Sequence, residues 1–443
     1  MTLAEARRPD VASVAAAAGA LELAGAPEGF DALVMADIAR ARGGLCAFVA
    51  RDGTRASAFM DAFGFFAPDI EILHFPSWDC LPYDRVGPSP GAAARRMATL
   101  ARLVGPRKAG PRLLVTQVPA LLQRVPPREL LTRASYAAKV GQDVDIKALE
   151  RYFAVNGYSR ASTVSERGEF AIRGGVIDVF PPGAEEPVRL DLFGDMLESI
   201  RAFDPMSQRS TRKLDSIEFL PVSEVLLEPD TIARFRQGYV TRFGASADDP
   251  LYAAVSEGVR RSGVEHFLPL FYPTLETLFD YLGKDVLIGL DHLARDARDE
   301  RLATVADAFE ARREADKGRG AYHALEPDAL HLSIEEWDKG LSGRPMRAFN
   351  PFHREEASGV IDLGAKAGRN FAAERAQDSV NLFAATVDHA KRLTAAGKRV
   401  LFASWSDGSS DRLGVMLGDH GLDVTLAADW PEAERQNAKI AQR

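Results

Sequence analysis

The sequence predicts an α/β protein: a parallel-sheet layer, an antiparallel β-rich stretch near the middle of the chain, and a small α/β domain at its end. Three observations carry that prediction. Between Phe30 and Thr116, helical spacing alternates with short apolar runs, the pattern of helices covering a parallel sheet. From Gly168 to Ile200, apolar and polar residues alternate one by one between the turn signals Arg173-Gly174-Gly175, Pro181-Pro182-Gly183 and Gly194-Asp195, the pattern of a meander. After a stretch of glycine, proline and charge, helix and strand patterns return from Ser379 onward.

In chain order, Phe30 to Ala41 has helical spacing, Leu45 to Ala50 reads as a buried strand and Thr54 to Phe63 as a helix. Ile70 to Phe75 and Leu113 to Thr116 add strands, with a helix over Ala92 to Leu103 between them. Leu130 to Arg151 leads out of this layer, Asp145 to Asn156 reads as a helix, and Gly157-Tyr158-Ser159-Arg160 turns the chain into the meander. Beyond Pro221, helical patterns cover Pro229 to Phe243 and Pro250 to Ser262, Val264 to Tyr272 and Val286 to Gly289 read as strands, and His292 to Arg319 as a charged helix. Gly318 to Gly320 and Gly340 to Pro345 mark a linker region. Ser379 to Ala395 and Asp411 to Gly418 then read as helices, Arg399 to Ala403 and Leu422 to Ala427 as strands.

A chain of 443 residues is too long for one hydrophobic core, so about two to four domains are expected. With 46% hydrophobic and 27% charged residues it has the balance of a folded globular protein, which excludes disorder and fibres. A net charge of −8 and a pI near 5.6 argue against a chain that grips DNA by itself, because phosphate binding draws on positive charge. Cys46 and Cys80 can build neither a disulfide framework nor a four-ligand zinc site, and no Cys/His cluster has metal spacing. No metal is expected, and a reducing cytoplasm fits. Arg7-Arg8 ahead of Val11 to Leu23 imitates a secretory leader, but its apolar part is mostly alanine and meets Glu22, and no run approaches the roughly 18 apolar residues of a membrane span.

The meander carries the functional signal. In Val188 to Phe193, period two puts Val188, Leu190 and Leu192 on one face and Arg189, Asp191 and Phe193 on the other. In Glu169 to Arg173, Phe170 and Ile172 point inward, Ala171 and Arg173 outward, which places Arg173 across the sheet from Arg189. Two arginines, an aspartate and a phenylalanine have the composition of a protein-binding hot spot. The alternative is that Phe193 packs under a loop and the arginines are merely solvated.

Three blocks, Pro76 to Asp84, Arg167 to Gly183 and Arg189 to Ser210, closely resemble the N-terminal region of the bacterial transcription-repair coupling factors, and the last two are shared with UvrB of nucleotide excision repair. The resemblance is specific from about Ile72 to Ser223. It implies that the meander is the surface that binds UvrA, with Arg173, Arg189 and Phe193 at contacting positions and Arg160 and Asp191 matching contacts of the UvrB version. It also implies the connectivity: a UvrB-like α/β domain in two parts, 1–135 and 226–320, around an inserted module at 136–225, then a linker at 321–345 and a small α/β domain at 346–443.

In UvrB the equivalent α/β domain is a motor domain that holds ATP in a P-loop, a G-x-x-x-x-G-K-[ST] loop whose lysine reaches the phosphates and whose hydroxyl holds magnesium. Here that position reads Ala24-Gly25-Ala26-Pro27-Glu28-Gly29-Phe30-Asp31. Gly25 and Gly29 survive, Phe30 and Asp31 replace the lysine and hydroxyl, and Pro27 removes a backbone donor, so a degenerate, non-binding site is expected. Asp299-Glu300 reads as part of a solvated helix face. UvrB-like proteins also carry a long aromatic hairpin for damaged DNA, whereas only Asp84 to Gly91 stands between Tyr83 and the next helix; Trp78 and Tyr83 read as buried loop anchors.

No catalytic constellation is found, and an enzyme is not expected in this chain. ATP, magnesium, DNA and RNA polymerase are expected to engage parts of the family's longer members, whose own C-terminal domain is thought to mask the UvrA face. The reading is therefore a UvrA-recruiting adaptor; its rival is a UvrB-type ATP-dependent helicase relative that binds damaged DNA.

Overall fold

The computed structural model describes residues 11–106, 109–244, 249–316, 323–355, 357–366, 368–377, 381–404 and 406–440. Its strands, in chain order, are β1 (Ala20–Ala24), β2 (Leu45–Ala50), β3 (Glu71–Phe75), β4 (Arg112–Gln117), β5 (Tyr136–Lys139), β6 (Ser159–Arg160), β7 (Glu169–Arg173), β8 (Val176–Val179), β9 (Val188–Phe193), β10 (Met196–Phe203), β11 (Ser210–Leu214), β12 (Ser216–Phe219), β13 (Leu287–Leu290), β14 (Met346–Phe349) and β15 (Val360–Asp362).

Seven of these form one parallel sheet in the order β15-β1-β14-β13-β2-β4-β3. Both faces are covered, as a parallel sheet requires. On β4, Leu113 and Val115 enter the core that holds Phe48, Phe59 and Phe63, while Leu114 enters the one that holds Phe75, Leu100 and Trp337. Phe48 and Phe59 stack with ring centroids 3.7 Å apart.

The central stretch forms a six-stranded sheet, β11-β10-β9-β8-β7-β6, antiparallel except at β6 and β7, beside a two-stranded β12-β5 ribbon. One face is closed by the helix Ile146–Val155, which starts where the Asp145 carboxylate accepts from the amides of Lys147 and Ala148 at 2.9 and 3.1 Å. Its Leu149 and Phe153 join Phe170, Ile177, Val188 and Leu190 in the module's core. The module is fastened where it leaves: buried Arg96 pairs with buried Glu224, donates to Pro76 O at 2.9 Å and lies 4.2 Å above the Phe75 ring. Arg260 adds bonds to Ser223 Oγ and Val225 O at 2.9 and 2.7 Å.

Several expectations are corrected. The alanine-rich arm contains β1, whose low β propensity hid it; parallel pairing to β14 and β15 makes it a strand. Those two partners lie just past the expected linker, so residues 346–362 complete the first sheet and the expected boundary at 345/346 falls between elements of one layer. At four and three residues they are too short to show a period. Val264–Leu270 is a 3₁₀-helix, not a strand: His266, Phe267, Leu268 and Leu270 are all buried, and a continuous apolar run does not distinguish the two. Beyond β15 the helices Leu382–Ala395, Asp407–Asp419 and Trp430–Ile440 follow, and among the described residues 399–403 and 422–427 form no ladder. Trp430 rests on Phe66 of the first layer, ring centroids 5.5 Å apart. Gly318 to Gly320 lie outside the described residues. Among the described residues no helix is long and apolar enough to cross a membrane.

Candidate protein-docking site

The outer face of the six-stranded sheet is built by register. Ala171, Asp178 and Arg189 are directly opposite one another on β7, β8 and β9; one step along, Arg173, Val176 and Asp191 do the same. Gly174 at φ 60° closes the first hairpin, and a side chain on Gly175 would strike the Leu192 carbonyl at 2.7 Å. Gly194 at φ 63° closes the second, opposing Phe193 to Met196.

The expected residues share a face, but Arg173 lines up with Asp191 and not, as expected, with Arg189, which lines up with Ala171. Val188 and Leu190 are buried, Arg189 and Asp191 partly exposed, and Phe193 is 77% exposed with Met196 beside it at 44%. Among the described residues no loop covers Phe193, so the alternative of a packed phenylalanine is not what the described fold contains. Ala171 does point to the outer face but is buried there by Val164, Phe180 and Phe203, a small second core. The Arg189 guanidinium stacks 4.9 Å over the Phe203 ring.

The residue that organises the face is Asp178, which sequence reading passed over. Buried to 2% exposure, its carboxylate accepts from Arg189 Nε at 2.6 Å and Nη2 at 2.9 Å, and from Arg173 Nη2 at 3.2 Å. That pairing holds the Arg189 pKa above its ordinary value. Asp191 in turn accepts from Ser199 Oγ at 2.8 Å and Arg201 Nη2 at 2.6 Å. Arg173, Arg189, Asp191 and Phe193 therefore share one surface. Arg160 does not: it sits on the opposite edge strand and donates to Glu150 of the helix on the other face, at 2.6 Å.

The loop expected to be a degenerate nucleotide site lies between β1 and the helix Phe30–Arg42, with Gly25 at φ 59° and Gly29 at φ 91°. Asp31 fills it. Its carboxylate accepts from the amides of Gly29 and Ala32 at 2.9 and 2.8 Å and pairs with buried Arg55. Burial pushes the Asp31 pKa up to about 6, against the opposing pull of Arg55. Arg55 Nε also reaches Asp291 at 3.0 Å, and Arg51 spans Glu28 and Asp291 at 2.7 and 3.2 Å. Glu28, Asp291 and His292 come within ligand spacing of one another, but the two arginines already hold both carboxylates.

Trp78 and Tyr83 are buried, the first edge-on to His266 and the second 5.5 Å from Phe309. Among the described residues no strand interrupts 76–89. Asp299 lies on the charged helix Ala294–Asp316, paired with Arg298.

Residues 137–224, the β-rich module, match the family described as the UvrB interaction domain. The chain is 34% identical to the transcription-repair-coupling factor of Rickettsia bellii over 306 residues, 68% of this chain and 27% of that protein. It is 31% identical to that of Haemophilus influenzae over 72% of this chain and 28% of the relative, and 30% identical to that of Escherichia coli K12 over 87% and 33%. The chain thus spans about a quarter to a third of the length of the relatives it matches. The chain is thus similar in sequence to part of the transcription-repair-coupling factors, and its residues 137–224 match the UvrB interaction domain.

Proposed function

We propose that this chain is the UvrA-recruiting, amino-terminal portion of a transcription-repair-coupling factor, a non-catalytic adaptor that presents a UvrB-like face to UvrA and so brings nucleotide excision repair to stalled RNA polymerase. The observation that carries it is Phe193, a large apolar side chain 77% exposed on the same sheet face as Arg173 and Arg189, in a stretch that matches the UvrB interaction domain. The carboxylate in the nucleotide cradle favours an adaptor over a UvrB-type helicase relative. In this reading, ATP-driven movement on DNA and contact with RNA polymerase belong to other parts of the longer relatives, and the protein's own C-terminal domain masks the face when UvrA is not needed. Titration of purified UvrA with this chain tests it. Saturable binding that Phe193→Ala removes is expected; no binding, or binding that ignores Phe193→Ala and Arg173→Ala, ends the reading.

A further inference from the structure

The charged face continues past the residues named so far. Arg201 of β10 is directly opposite Arg189, and Lys213 of β11 is directly opposite Arg201. Opposed residues of an antiparallel ladder share a face, so the three form a row of cations across neighbouring strands. Like charges so placed repel, and a row of them is costly to keep unless something offsets it. Two offsets come from within: Asp178 holds Arg189 and Asp191 holds Arg201. The row is left incompletely matched at its far end. Among the described residues no carboxylate pairs with exposed Lys213, and the Arg201 Nε is buried without an acceptor.

We propose that Arg201 and Lys213 extend the docking face, and that the row receives an acidic strand or loop of the partner whose carboxylates are spaced like the strands themselves, roughly 5 Å apart. The identification of that partner as UvrA rests on the reading above; its acidity rests on the row. Nucleic acid fits less well, because Asp178 lies at one end of the row and Asp191 lies on the same face one step along β9, and both repel a continuous polyanion. Exposed Phe193 and Met196, flanking the β9–β10 turn, supply an apolar anchor, which a protein partner uses and a phosphate backbone does not.

The test is Arg201→Gln and Lys213→Gln in the whole chain, titrated with UvrA and with a polyglutamate peptide at low and physiological salt. Lys213→Gln leaves no carboxylate without its partner, so it stands if Arg201→Gln disturbs Asp191. Each is expected to weaken UvrA binding roughly three- to tenfold, mainly by slower association, and to flatten its salt dependence while the melting temperature stays put. Binding and salt dependence equal to the parent overturn the extension even where Phe193→Ala abolishes UvrA capture, which leaves the UvrA reading intact. If the parent does not bind UvrA, the peptide decides: loss of peptide binding in both variants supports the row, and unchanged binding overturns it. A preference of the row for duplex DNA over the peptide overturns the assignment to an acidic protein.

Discussion

Asp178 and Arg189 face each other on neighbouring strands and are joined twice, at 2.6 and 2.9 Å, so the guanidinium is fixed in one plane before any partner arrives. Pre-ordering a long side chain removes part of the entropy otherwise lost on binding. A lysine keeps the charge but not the fork. Arg189→Lys is therefore expected to lose nearly as much UvrA affinity as Arg189→Ala, about 2 kcal/mol or roughly thirtyfold. Titration of both checks it; a lysine variant equal to the parent shows that charge alone counts.

The two sides of β9 separate binding from stability. Phe193→Ala removes an exposed side chain and should leave the thermal melt where it is while UvrA binding falls. Leu190→Ala empties a fully buried position and should cost about 2 to 5 kcal/mol of stability. The opposite pattern in paired melts and titrations would mean the strand faces are reversed.

Nucleotide has to compete with Asp31 for the loop amides. Equilibrium dialysis with labelled ATP and magnesium is expected to show no binding at micromolar nucleotide. Protection of the Asp31 loop by ATP would restore the helicase-type alternative.

DNA binding should be weak and indifferent to lesions, since the chain carries a net charge of −8 and its 76–89 segment has no hairpin to insert. A gel-shift comparison of intact and damaged duplex at physiological salt reads this directly. A clear preference for the damaged duplex counts against the adaptor.

Acid should weaken the fold through its buried histidines. Burial, with Arg95 and Arg301 adding positive charge nearby, pushes His74 down to about 4 and His331 down to about 3, from an ordinary value of 6.5. Because the folded values are depressed, the stability these groups contribute is full above about pH 6.5 and is lost as the pH falls toward the folded values. His331 alone accounts for a slope of about 1.4 kcal/mol per pH unit in that window. Denaturant melts between pH 7 and 5 should show falling stability, and His331→Gln should flatten the slope whatever it does to the absolute value.

Sequence legibility followed the range of the interactions. Period two separated Leu190 from Arg189 because both facts lie within one strand. Asp178 stayed hidden: VIDV reads as an ordinary buried strand, and its arginines sit five and eleven positions away on other strands, visible only once register is known. Arg201 was missed for the same reason, its meaning set by Arg189 opposite. Asp31 stood out in the sequence at the position of a P-loop hydroxyl, but Arg55 and Asp291, which complete its surroundings, arrive from distant positions that no local pattern connects. β1, β14 and β15 are strands because the sheet makes them so.

The aspartate in the cradle also changes how this domain relates to the cell around it. A domain that binds a soluble nucleotide gains stability as that nucleotide's concentration rises, so its folding and shape report on metabolic state. Asp31 is tethered to the very loop it satisfies, and a tethered group acts at an effective concentration set by geometry and not by supply. Under the adaptor reading, the layer is equally firm in starvation and in plenty, and whatever signal governs the protein enters by another door.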